Sequence, residues 1–384
     1  MKTKSEKKRS KIKVCFISTY SYPLFNKKSK ILHGGAEVQM YFISTQLAKD
    51  KNFDVSFIVG DFGQKDMEVW EDVKVFKSPV KIKIKTIFSR IKWISEFIKF
   101  LKEIDVDIYF TTAANNTIGP TSLFCKIYNK KHIHRVASLM DVDKSFIKKS
   151  NWFVGRLYRY GLTHADSVFV HNETQKNILL KNHKKDSQVI RHSYFLKSMP
   201  KKKGDYVLWV GRYDYMKKPE LFLELAKKFP KNKFVIICNY NPFWPKESEE
   251  IRKKALKQKN VEYIERVPFE EIQKKYYDKA KVFVNTSDFE GYPNSFAQAG
   301  LGATPILSLN VSPENYLDKY KCGYFGKGSM KIMENKLRKL LTNKKDWKMR
   351  SKNIFKYVKE NNNIEINVAK IKKEIESLYE KESS

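Results

Sequence analysis

The chain is 384 residues long, too much for one ordinary core and suited to two domains of roughly 150–200 residues each. Its 76 Lys and Arg against 42 Asp and Glu leave a net charge of +34, yet only 11 of those basic residues are Arg, and the lysines run along the whole length. Base-reading and phosphate-clamping surfaces favour Arg, so the charge argues against a nucleic-acid footprint while leaving a surface that attracts anionic membranes.

In chain order, the basic start Met1–Lys11 lacks the long apolar core and cleavage site of a signal peptide. Lys13–Ser18 reads as a strand. A loop follows, and His33-Gly34-Gly35-Ala36-Glu37 opens a predicted helix over Gly35–Lys49. Its glycines would let backbone N–H groups approach a phosphate, or they form a plain turn in which Glu37 favours the helix start. Val55–Val59 is the next strand. Lys81–Lys102 then sets Ile84, Ile87, Phe88, Ile91, Ile94, Ile98 and Leu101 at helical spacing, with Trp93, Phe97 and Phe100 widening the apolar face and lysines filling much of the rest. This fits an interfacial amphipathic helix and equally a helix packing its stripe on a sheet.

Ile108–Thr111, Ile133–Ser138 and Ser167–His171 continue the strands. Asp105 with Asp107 and Asp141 with Asp143 form Asp-x-Asp triplets of the kind that can hold a divalent ion, but the first precedes a strand, at the wrong edge for a cleft. His132 and His134 share one strand face with no evident third ligand. No metal site is expected. Cys15, Cys125, Cys238 and Cys322 are far apart with no CxxC pair, which fits free core thiols in a reducing cytosol. No apolar run reaches the roughly 18 residues of a membrane span.

After a charged, Pro-containing break at Met199–Gly204 the alternation restarts. Tyr206–Val210, Phe234–Cys238, Val261–Ile264, Val282–Asn285 and Pro305–Leu307 read as strands, with Pro219–Phe229 and Glu270–Ala280 as helices. From about Lys336 the chain is helical and highly charged. The pattern predicts an α/β protein of two doubly wound, Rossmann-like domains, 1–198 and 199–360, facing each other across a cleft. A helical segment, 361–384, is expected to pack back towards the first domain.

Two segments of the second half carry chemistry. In Trp209-Val-Gly211-Arg212-Tyr-Asp-Tyr-Met-Lys217-Lys218-Pro219 a strand ends in Gly-Arg and a helix begins at Pro219, so Arg212 and Lys218 flank a helix start and can bind a diphosphate. A solvated loop suits Lys217 but not the scarce Arg212. In Glu290-Gly-Tyr-Pro-Asn-Ser-Phe-Ala-Gln298 a carboxylate and a glycine precede a helix that Asn294 or Ser295 can cap; Gln298 sits where a capping box would use it. A carboxylate beside an anion-binding helix start suits a sugar nucleotide, with hydroxyls at one end and phosphates at the other.

The three collinear segments HGGAE, VGRYDYMKKPELFLELA and EGYPNSFAQAGLGATP resemble glycosyltransferase family 4, retaining enzymes of the GT-B fold, over nearly the whole chain. The resemblance implies that Gly34 and Gly35 lie against donor phosphates, that Arg212 and Lys218 neutralise the diphosphate leaving group, and that Glu290 hydrogen-bonds the transferred sugar. Backbone groups of Tyr292, Pro293 and Asn294 would complete the cradle, and Arg266–Val267 would meet the nucleobase. Two departures stand out. The family's second glutamate, which holds the ribose, is Gln298 here, an amide still able to bond hydroxyls. Where many relatives have a histidine near the reacting sugar, this chain has Met140-Asp141, leaving Asp141 as a candidate polar contact.

The expected activity is therefore transfer of a sugar from a nucleotide-diphosphate sugar to a glycan or lipid-linked acceptor. It proceeds with retention and without a cofactor or divalent metal, in the cytoplasm or at the inner face of the cell membrane. A sugar-nucleotide epimerase or hydrolase of the same fold is the main alternative, and a nucleic-acid-binding protein a weaker one.

Overall fold

The computed structural model describes residues 10–29, 33–79, 87–200 and 204–383. The start of the amphipathic segment, 81–86, and 201–203 of the predicted break lie outside them. The chain forms two compact units, one of Met1–Ser193 with Ile364–Ser384 and one of Tyr194–Asn363.

The first unit holds an eight-stranded sheet in the order β3-β4-β2-β1-β5-β6-β7-β8. Its strands are β1 Ile12–Ile17, β2 Phe53–Val59, β3 Met67–Trp70, β4 Val73–Lys77, β5 Ile108–Thr112, β6 Lys131–Arg135, β7 Ser167–Val170 and β8 Gln188–Val189. All pairings are parallel except β3 with β4, an edge hairpin that the sequence did not announce. Its turn uses Glu71 and Asp72, both at positive φ, where Gly or Asn would have signalled a hairpin. β1, β2 and β5 read as continuous apolar runs because strands covered on both faces bury both sets of side chains.

The second unit holds a six-stranded, wholly parallel sheet in the order β11-β10-β9-β12-β13-β14. Its strands are β9 Val207–Arg212, β10 Phe234–Asn239, β11 Val261–Ile264, β12 Val282–Asn285, β13 Ile306–Ser308 and β14 Gly323–Phe325. Numbered within the unit this is 3-2-1-4-5-6, the order of a doubly wound nucleotide-binding domain. Two apolar clusters cover its faces, one around Trp209, Phe222 and Phe234, the other around Phe283, Phe296 and Tyr316. The predicted helix over Glu270–Ala280 is one α-turn, Phe269–Ile272, that widens into a π-turn over Gln273–Tyr277.

The helix Ile87–Ile104 packs its stripe on the first sheet. Phe97 and Leu101 are fully buried beside Tyr109 and Phe124, with Trp93, Ile98 and Phe100 partly covered. Its first turn is different: Phe88 is 82% exposed and Ile91 55%. The helix Ile364–Ser383 closes the first unit through Val368, Ile371, Ile375 and Leu378 and an ion pair of Lys372 with Asp50 at 2.6 Å.

His132 and His134 are structural. Both are buried and both bond the Thr111 hydroxyl, at 2.8 and 2.9 Å. A hydroxyl donates once, so one imidazole accepts and the other donates. Burial pushes His132 down to about 3 and His134 well below its ordinary value, so both are neutral. All four cysteines are free and buried, and burial pushes Cys15, Cys238 and Cys322 up to about 12.

Candidate functional site

Strand order in the second sheet turns between β9 and β12, with β10 and β11 to one side and β13 and β14 to the other. Loops leaving the carboxyl ends of two such strands splay apart, and a doubly wound sheet binds its ligand there. β9 ends in Gly211-Arg212, and β12 runs on to Glu290. The two loops are tied together: the Asp288 N–H donates to the Met216 carbonyl at 2.7 Å, and the Thr286 hydroxyl donates to the Lys217 carbonyl at 2.8 Å. The Trp209 indole N–H in turn donates to Thr286 at 3.0 Å.

Glu290 is held from three sides. Its Oε1 accepts from Asn285 Nδ2 at 2.9 Å and Ser287 Oγ at 2.6 Å, and its Oε2 lies 3.3 Å from Lys217 Nζ. Its side chain is only 18% exposed, so the carboxylate is oriented rather than solvated. Asn285 is itself fixed by the Ser308 hydroxyl at 3.2 Å.

The lysine beside Glu290 is Lys217, not Lys218. The sequence suits Lys217 to a solvated loop, but the structure buries two thirds of its side chain against the carboxylate. Lys218 stands in the left-handed region, φ +48°, at the cap position of the helix Pro219–Lys227, and pairs with Asp288 at 3.5 Å. Arg212, which follows the same strand, is exposed, and its guanidinium meets no acid among the described residues. Two adjacent loops thus carry Arg212, Lys217, Lys218 and the fixed carboxylate, and among the described residues Lys217 is the cation paired with it.

The helix after Glu290 runs Asn294–Leu301 with Pro293 at its cap position, and no side chain caps it. This corrects the expected caps. Asn294 lies inside the first turn and its Oδ1 accepts from the buried Tyr194 hydroxyl at 2.8 Å, while Gln298 makes no capping-box bond. The first N–H groups of this helix are left without a side-chain acceptor. Tyr292 is buried and its hydroxyl reaches Asn362 at 3.4 Å.

Arg266 and Val267 follow β11, three strands along the same edge from β12, roughly 14 Å at ordinary strand spacing. Arg266 is exposed and Val267 packs on the core beneath. The remaining candidates belong to the first unit. Gly34 precedes the helix Gly35–Ala48, and its N–H donates to Glu37 Oε2 at 2.8 Å, so that one amide is already used. Asp141 is buried, and its oxygens accept from the Ala137 N–H (2.8 Å), the Ser138 N–H (3.2 Å) and the Ser138 hydroxyl (2.7 Å). Burial raises its carboxyl above the ordinary range against those bonds. It braces a turn, which accounts for its polar character without a ligand. Among the described residues no three His, Cys, Asp or Glu side chains gather as a metal site would need.

Sequence reasoning missed Lys217, Asn285, Ser287 and Tyr194. The signal for the middle two was present: polar residues at and just beyond the end of the apolar strand β12, three and five positions before the carboxylate they hold. Tyr194 lies 100 residues from its partner, and nothing local announces it.

No curated protein matches the chain by sequence. Solved structures do match its fold. Sucrose-phosphate synthase from Thermosynechococcus elongatus superposes with a TM-score of 0.77 at 15% identity, over 96% of this chain and 99% of that one. HepE from Anabaena, solved with UDP and glucose, gives 0.71 at 11%, over 95% and 100%. A glycosyltransferase from Rickettsia africae gives 0.71 at 13%, over 96% and 98%. The fold is thus the α/β, two-sheet type called GT-B. Residues 192–357, which carry the fixed carboxylate and all three cations, match the family described as glycosyl transferases group 1.

Proposed function

We propose that this protein is a glycosyltransferase that moves a sugar from a nucleotide-diphosphate sugar to a glycan or lipid-linked acceptor with retention of configuration. One observation carries the reading: a carboxylate immobilised by Lys217, Asn285 and Ser287 at the switch point of a 3-2-1-4-5-6 sheet, beside a helix start that no side chain caps. The family match over the same residues and the UDP bound in a structural neighbour support it.

In this reading the diphosphate lies over the carboxyl ends of β9 and β12. Arg212 and Lys217 face it, with Lys218 at the rim, and the N–H groups of Asn294 and Ser295 add fixed dipoles. Glu290 turns its oxygens to the hydroxyls of the sugar while Lys217 shifts from carboxylate to phosphate. The nucleobase falls over Arg266 and Val267, at the reach of an extended nucleotide sugar. Gln298 offers its amide to the ribose. Charge on the departing diphosphate is met by protein cations, so the reading gives no role to a divalent ion, and chelation should leave turnover unchanged. The acceptor hydroxyl attacks the face that the nucleotide leaves, and a phosphate oxygen takes its proton.

The test is thermal stabilisation by UDP-, GDP- and ADP-sugars, since a ligand at about 100 times its Kd adds about 2.7 kcal/mol. One nucleotide should raise the melting point of the wild type and not of Arg212→Ala. No shift with any of them overturns the reading.

We infer further that the protein works at an anionic membrane surface. The first turn of the helix Ile87–Ile104 exposes Phe88 and Ile91 beside Arg90 and Lys92, the pairing of apolar and cationic groups that interfacial helices use.

A further inference from the structure

A cavity of about 210 Å³ opens in the first unit. It is lined by the ends of β1 and β2 and by the loops after β1 and β5. The first sheet turns its strand order between β1 and β5, with β2 to one side and β6 to the other, so the cavity lies at that sheet's own switch point, on the carboxyl edge where such sheets bind ligands. It is smaller than the roughly 300–1,000 Å³ of drug-sized sites, which suits one ring and excludes a nucleotide.

Its lining is chemically selective. None of the twelve described residues around it is charged, in a chain where 31% of residues are. One wall is Trp93, half-buried and stacked on Phe97 at 5.3 Å with the rings 10° apart. Its indole N–H meets no acceptor among the described residues. Asn115 is consumed by its turn, donating to the Thr112 carbonyl at 2.8 Å and accepting from the Thr117 N–H and hydroxyl at 2.8 and 2.7 Å. That turn presents Asn116, whose exposed amide is unpaired among the described residues. An indole face with a free N–H, a free amide and aliphatic side chains suits a ligand with both a C–H face and hydroxyls. Among the described lining residues no group would compensate a ligand's charge.

We propose that this cavity binds a single uncharged sugar ring, stacked on Trp93 and hydrogen-bonded by Asn116.

Saturation-transfer NMR on the full chain would measure binding of the methyl glycosides of glucose, galactose, mannose and N-acetylglucosamine, beside glucuronate and glucose 6-phosphate. At least one neutral glycoside should bind better than both anions. Trp93→Ala should weaken it about tenfold by loss of the stacking face, and Trp93→Phe should restore most of that. Asn116→Ala should weaken it about threefold, one hydrogen bond's worth, with the melting point and the shift caused by UDP-sugar unchanged. Tighter binding of the anions, no binding of any neutral glycoside, or equal binding by wild type, Trp93→Ala and Asn116→Ala overturns the proposal.

Discussion

Lys217 and Lys218 are adjacent in sequence and have different surroundings. Lys217 runs past Gly211, where a Cβ would lie 3.2 Å from its Cδ and 2.9 Å from the Trp209 ring. A side chain at 211 would therefore crowd the lysine on its way to Glu290. Lys218 takes the left-handed backbone that lets Pro219 begin a helix, and so turns towards Asp288. Few non-glycine residues adopt that conformation, and a Lys-Lys-Pro string does not show which lysine will. Arg212 and Glu290 stand out in the sequence because each is a rare or costly choice after an apolar strand. We expect Glu290→Ala, Arg212→Ala and Lys217→Ala each to lower kcat by about 10²–10³, the loss seen when a group stabilising transition-state charge is removed, with melting points preserved. Lys218→Ala, whose partner is an exposed surface carboxylate, should cost less than tenfold. Steady-state assays with the matched donor would decide, and an equal loss at 218 would return the diphosphate role to that residue.

At the scale of elements, strands buried on both faces were the readable ones. β1, β2, β5, β9, β10 and β12 are apolar runs within a residue or two of their expected bounds. The short β8 and β14, of two and three residues, and the hairpin β3–β4 escaped. A strand of two or three residues has no period to read, and an edge hairpin turning on Glu71-Asp72 lacks the usual punctuation. For the helix Ile87–Ile104 spacing alone left two readings, and the structure divides them along its length: its later turns pack on the sheet and its first turn faces outward. Binding to anionic vesicles should therefore depend on that first turn. Phe88→Ser with Ile91→Ser should reduce sedimentation with anionic liposomes several-fold at low salt without lowering the melting point, since neither side chain is buried. Equal sedimentation of wild type with neutral and anionic liposomes would count against a membrane role.

For the whole molecule, two sheets could be read from alternation, whereas the strand orders that create the switch points could not, because order is decided by crossovers between distant segments. The buried imidazoles of the first unit add a pH dependence. His132, His134 and His171 are all shifted down by burial, so they stay neutral when folded, while the unfolded chain takes up protons below about 6.5. Unfolding then gains protons as pH falls, so this stabilisation is present above that value and is lost on acidification. His132 should remove about 2 kcal/mol by about pH 5, before most carboxylates titrate, and His134 and His171 act in the same direction. The melting point should drop by several degrees between neutrality and pH 5, and a flat profile there would show that the imidazoles are not held neutral.

The first unit is completed by Ile364–Ser383. A ribosome must therefore deliver every residue of the second unit before the first can seal its flank. The later-made half has all its segments together and can fold as a continuous stretch, while the earlier-made half waits with the apolar positions that meet Val368, Ile371 and Ile375 uncovered. Order of synthesis and order of completion run in opposite directions, and a stalled or clipped nascent chain would leave the second unit finished and the first open to aggregation.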